Sequence, residues 1–107
     1  MSLNVSLTET KPTEVFWANI TDNLTEMANA AGIYTHLWRP EDIGITLASE
    51  LIAPLEIGLA AMKADPDKYR EYDSPNGWGT YDDFVPWIER YIEACKQNPD
   101  AEVSVSR

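Results

Sequence analysis

Both ends of the chain carry the same alternating pattern. Leu3, Val5 and Leu7 alternate with Asn4 and Ser6, and Ala101, Val103 and Val105 alternate with Glu102, Ser104 and Ser106. A period of two is that of a strand with one buried face. Val15-Phe16-Trp17-Ala18-Asn19-Ile20 is β-branched and aromatic with apolar residues on both faces. It reads as a second strand, buried more deeply than the first, with Thr10-Lys11-Pro12-Thr13 as the turn or loop between them. Strands at both ends of a helical middle predict an α+β domain, in which N- and C-terminal strands form a small antiparallel sheet on a helical core layer. The 107 residues make a single domain, 1–107.

The middle of the chain is punctuated for helices. Thr21-Asp22-Asn23 offers N-cap chemistry, Leu24, Met27, Ala28 and Ala31 follow at helical spacing, and Gly32 is a natural stop. Ile33–Trp38 reads as a second short piece ending before Pro40. Thr46 is placed to cap the longest helix, whose stripe is Leu47, Leu51, Ile52, Leu55, Leu59 and Met62. Pro54 predicts a bend in it, and Gly58 predicts a close helix crossing. Asp65-Pro66-Asp67 starts another short helix, with Pro66 in its first turn. After the turn-rich Ser74–Gly79, Thr80 caps a last helix with Phe84, Trp87, Ile88, Tyr91, Ile92 and Cys95 on its buried face. Pro86 is expected to distort its first turns, and Asn98-Pro99-Asp100 ends it.

Charge narrows the partners. Eighteen acidic residues against eight basic ones give a net charge of −10, which disfavours direct nucleic-acid binding and anionic membrane surfaces. Acidity serves solubility on the plain reading, and phosphate mimicry on the sharper one. Cys95 is the only cysteine, so no intrachain disulfide forms. Met1–Val5 lacks the basic and apolar runs of a signal peptide, and Leu51–Met62 is too short to span a bilayer. These features point to a cytoplasmic protein.

Several segments carry a resemblance. They are Asn19-Ile20-Thr21 with Asn23-Leu24, Ala31-Gly32-Ile33-Tyr34, Leu37-Trp38-Arg39-Pro40-Glu41, Asn76-Gly77-Trp78-Gly79-Thr80-Tyr81, and Cys95 with Pro99-Asp100-Ala101. In this order the chain resembles a family of small uncharacterised bacterial and phage-associated proteins. The resemblance implies a bacterial or phage setting and attaches no activity, cofactor or partner. A His often follows the Asn-Ile-Thr motif in that family, where this chain has Asp22, so no imidazole role carries over to this position.

No phosphate-cradling Gly loop, His-Glu-x-x-His or Gly-x-Ser-x-Gly occurs, and one His far from one Cys makes no zinc site. No cofactor or metal is expected. Asn19, Thr21, Asp22 and Asn23 stand at a predicted strand end and helix start, where anions bind and where plain capping is the alternative. Asp22 is a candidate base and His36 a candidate acid. Arg39 is a candidate anion clamp or else an ion-pair partner for Glu41 or Asp42. Trp38, Asn76 and Trp78 are ligand-binding candidates, since tryptophan supplies a flat face and Gly77 and Gly79 permit close approach. Cys95, on an apolar face, reads as an inert buried thiol.

These residues support a small acidic binding protein, acting on a protein partner or small ligand through Trp38, Arg39 and Trp78. The alternatives are a small enzyme acting on a phosphorylated or nucleotide-like substrate, and a structural, homo-oligomeric component using an open sheet edge. The ligand reading requires the start of the first helix, the Trp38-Arg39 pair and the Gly77-Trp78-Gly79 turn to converge.

Overall fold

The computed structural model describes residues 1–9 and 14–107. The loop expected at Thr10–Thr13 lies outside the described residues. Strand β1 (Ser2–Thr8) is the centre of a three-stranded antiparallel sheet, with β2 (Glu14–Thr21) on one side and β3 (Glu102–Ser106) on the other. Leu3, Val5 and Leu7 are fully buried. Ile20, Ala18 and Phe16 pair with them from β2, and Val105 and Val103 pair with Val5 and Leu7 from β3. This face packs on the helices. The opposite face presents Ser2, Asn4 and Ser6 beside Thr21, Asn19 and Trp17, with Ser104 and Ser106 from β3.

The expected burial order of the first two strands is reversed. β3 pairs with β1, so β1 is covered on both sides and β2 becomes an edge strand. Its second apolar face belongs to Val15 and the 56% exposed Trp17, which look away from the core.

A 3-10 turn, Asp22–Leu24, leads into α1 (Thr25–Ala30), which stops at Gly32 with φ 78°. α2 (Tyr34–Trp38) and a 3-10 turn, Pro40–Ile43, follow. α3 (Ser49–Ala64), α4 (Pro66–Arg70) and α5 (Tyr81–Gln97) complete the helical layer. α3 and α5 continue through Pro54 and Pro86. The whole expected face of α5, from Phe84 to Cys95, is buried. Gly58 does mark a crossing: a Cβ there would drive into the Ile33 side chain and stand 3.2 Å from the Ala31 carbonyl.

Thr46 does not cap α3, and α3 is not the longest helix; it has 16 residues against 17 in α5. Glu50 performs the task instead. Its carboxylate accepts from the N–H groups of Leu47 at 2.9 Å and Thr46 at 3.1 Å. These bonds hold the Glu50 carboxyl below its ordinary pKa. The N–H groups a Thr46 cap would have taken are engaged elsewhere: Ala48 N–H donates to the Ala101 carbonyl at 2.9 Å and Ser49 N–H to the Pro99 carbonyl at 3.0 Å. Among the described residues, no helix is long and apolar enough to cross a membrane.

Candidate functional site

The start of the first helix meets the Gly-Trp-Gly turn. Gly79 lies at φ 103°, and a Cβ on it would come within 3.0 Å of Asn23 Cβ, 3.1 Å of Thr21 Cγ2 and 3.3 Å of Leu24 Cγ. Only glycine tolerates both that backbone and that approach. The Asn23 side-chain amide then donates to the Trp78 carbonyl at 2.8 Å.

The turn is also closed on itself. Asn76 Oδ1 accepts from the Trp78 N–H at 2.9 Å and from the Ser74 hydroxyl at 2.7 Å, an Asx turn. Ser74 N–H donates to the Gly79 carbonyl at 3.0 Å. Asp73 accepts from the Tyr81 N–H at 2.7 Å, and Thr80 Oγ1 from the Asp83 N–H at 3.3 Å, tying the turn to the start of α5. The backbone around Trp78 is therefore fixed, yet its side chain is 71% exposed.

Between these segments lies an open cleft of about 700 Å³, a volume that suits a small ligand. Asn19, Thr21, Asn23, Asn76 and Trp78 line it, joined by Met1, Ser2, Ile20, Gly77, Gly79 and Asp83. Some of its polar atoms are already committed. The Asn19 amide N–H groups donate to Asn4 Oδ1 at 2.7 Å and Ser2 Oγ at 2.9 Å, and Thr21 Oγ1 accepts from the Asn23 N–H at 3.3 Å. The carbonyl ends of Asn19 and Asn23, the Asn76 NH₂ and the Asp83 carboxylate make no side-chain bonds among these contacts. Donors and acceptors are thus held at fixed places around an indole face, and among the described residues no Lys or Arg lines the cleft.

The other candidates go elsewhere. Trp38 is 2% exposed and belongs to the core. Its indole N–H donates to Asp22 Oδ1 at 3.0 Å, and its ring stacks on Tyr34 at 5.6 Å between centroids. Trp38 thus offers no face to a ligand, and the Asp22 carboxylate serves as acceptor for a buried donor. Arg39 is exposed, 3.9 Å from Asp42. Tyr34 nearby, with Asp42 and Glu41, raises its pKa further. His36 is half-buried, and its Nδ1 has no hydrogen-bond partner. Neither His36 nor Arg39 lines the cleft or the groove beside it, where Asp22, Glu26, Glu71 and Asp73 gather. Among the described residues, no group of three or more His, Cys, Asp and Glu is placed to hold a metal ion.

The N–H groups that were candidates for an anion are engaged as well. Asp22 N–H donates to the Met1 carbonyl at 3.2 Å, and Asn23 N–H to Thr21. Sequence reasoning missed Met1, Ser2, Ile20 and Asp83 in the lining, and Trp17 on the outer face. The parity of β2 carried the last signal: Asn19 and Thr21 mark the polar face, and Trp17 shares their parity. Ser2 follows only from the Ser2–Thr21 pairing. The chain matches no protein-family model, no curated protein and no solved structure.

Proposed function

We propose that this chain is a non-catalytic binding protein that takes a hydrogen-bonding ligand without negative charge, or a partner segment of that chemistry, in the cleft beside Trp78. One observation carries the reading. Three asparagines, Thr21 and an exposed indole, drawn from two segments more than 50 residues apart, converge on one open cleft with their backbones fixed. A rigid exposed aromatic loses little conformational entropy on binding. Fixed amide groups supply orientation. The bacterial or phage setting implied by the motif resemblance belongs to the same proposal.

An enzyme acting on a phosphorylated substrate has less support. Its clamp, Arg39, and its acid, His36, do not line the cleft, and Asp22 is bonded to Trp38. The test is a thermal-shift and tryptophan-fluorescence panel of nucleosides, neutral sugars and short uncharged peptides. A ligand at 100 times its dissociation constant stabilises by about 2.7 kcal/mol. Trp78→Ala and Asn76→Ala are expected to abolish the shift. A flat response across the panel, or a shift that survives both substitutions, overturns the reading.

A further inference from the structure

The two edges of the sheet are treated differently. The outer edge of β3 is covered: Val103 N–H donates to the Thr46 carbonyl at 2.9 Å, and Leu47 bridges to Glu102. Just outside the strand, Ala48 N–H donates to the Ala101 carbonyl at 2.9 Å, and Arg107 pairs with Glu41 at 2.9 Å. The outer edge of β2 carries no strand among the described residues. Exposed edges in monomeric proteins are usually blunted by lysine, proline, inward-pointing charge or a bulge. From Val15 to Thr21 this strand has no charge and no proline. Its one irregularity is a bulge at Val15, since Leu7 meets Phe16 and Thr8 meets Glu14, so the regular uncharged edge runs from Phe16 to Thr21.

We propose that two copies of the chain join antiparallel through β2, making one six-stranded sheet. Charge selects this surface. Two chains of net charge −10 repel over most contacts. β2 and its outer-face neighbours Ser2, Asn4 and Ser6 meet without an ionised side chain between Val15 and Thr21.

Symmetry and the exposed indole point to the register. A two-fold axis makes the contact isologous, and residues directly opposite in an antiparallel pair point to the same face. The axis therefore passes midway between the two copies of one residue. An axis at Trp17 sets Trp17 against its own counterpart and Phe16 against Ala18, and leaves the bulged Val15 near Asn19 at the end of the pairing. That register pairs two 56% exposed indoles on the outer face and opposes no like charges. It also places the two Trp78 clefts on one continuous sheet. The two Asn19 residues lie four positions apart along it, roughly 13 Å at strand rise. This inference goes beyond the ligand reading and does not depend on it.

The experiment is sedimentation velocity on the full chain across a concentration series. The expected result is a species of twice the monomer mass that Trp17→Lys converts to monomer. Circular dichroism of that variant confirms that it stays folded. A second measurement reads the register. Under mild oxidation Trp17→Cys is expected to form a covalent dimer, whereas Val15→Cys, which lies near Asn19, does not. Monomer mass throughout the series, or a dimer that survives Trp17→Lys, overturns the proposal. Cross-linking through Val15→Cys in preference to Trp17→Cys overturns the register.

Discussion

Trp38 and Trp78 each stand in a short segment flanked by proline or glycine, and they end in opposite environments. α2 lays Trp38 into the core, where Asp22 receives its N–H and Tyr34 covers its ring. The 74–79 turn holds its own backbone through Asn76, Ser74 and Gly79 and leaves the Trp78 side chain in solvent. In one place structure is built around the indole; in the other it is built beneath it. An aromatic whose surroundings are organised without using it is available for something else.

Substitution at each indole gives the largest separation. Trp38→Ala is expected to cost about 3–5 kcal/mol in chemical denaturation, as for large core truncations. Trp78→Ala should stay within about 0.5 kcal/mol of the parent. Equal losses would erase the distinction. Glycine comes next. Gly79→Ala meets a left-handed backbone and crowded neighbours, so a loss of about 1–3 kcal/mol is expected, with exposure of Asn23 and Trp78 changing together. Unchanged stability would mean that the turn is not seated on Thr21 and Asn23. Asp22→Ala strips the Trp38 N–H of its acceptor and should cost about 1–3 kcal/mol, while Asp22→Asn keeps an acceptor and should lose less. If the two variants matched in urea titrations, the hydrogen bond would not be the reason for Asp22.

The smallest effect is a pH dependence of the core. Burial pushes the Cys95 thiol up to about 12, and burial, with Cys95 beside it, raises Tyr91. Both folded pKa values lie above their unfolded ones. The stability they contribute is intact below the unfolded thiol pKa of about 8.5 and is lost as pH rises toward the folded values. Melting temperature should therefore fall progressively above about pH 9, and Cys95→Ala should remove part of that fall. Rapid labelling of Cys95 by a thiol reagent in the folded chain would contradict its burial.

Local chemistry was well written in the sequence. Alternation identified the strands at both ends, Gly32 and Thr80 bounded their helices, and Gly58 announced its crossing because a missing side chain in a helix has a steric reason. What the chain does over long distances was less legible. The order of burial of β1 and β2 depends on which of them β3 joins, about 100 residues away. Thr46 had capping chemistry, and only the path of the loop shows that Glu50 takes the task. For the candidate site, Asn19, Thr21, Asn23, Asn76 and Trp78 were legible individually as polar punctuation and exposed aromatic. Their meeting rests on Gly79 touching Asn23, and the departure of Trp38 from that group rests on its contact with Asp22. Neither contact has a local signature.

The pairing of β1 with β3, which sets Asn4 against Ser106, has a consequence for the order of assembly. During synthesis β1 waits for a partner strand about 100 residues further along the chain. Until Val103 and Val105 emerge, β1 has one neighbour and an unprotected side, so that interval is when β1 is most exposed to pairing with the wrong strand. Closing a loop of nearly the whole chain is also the topologically slowest contact it makes.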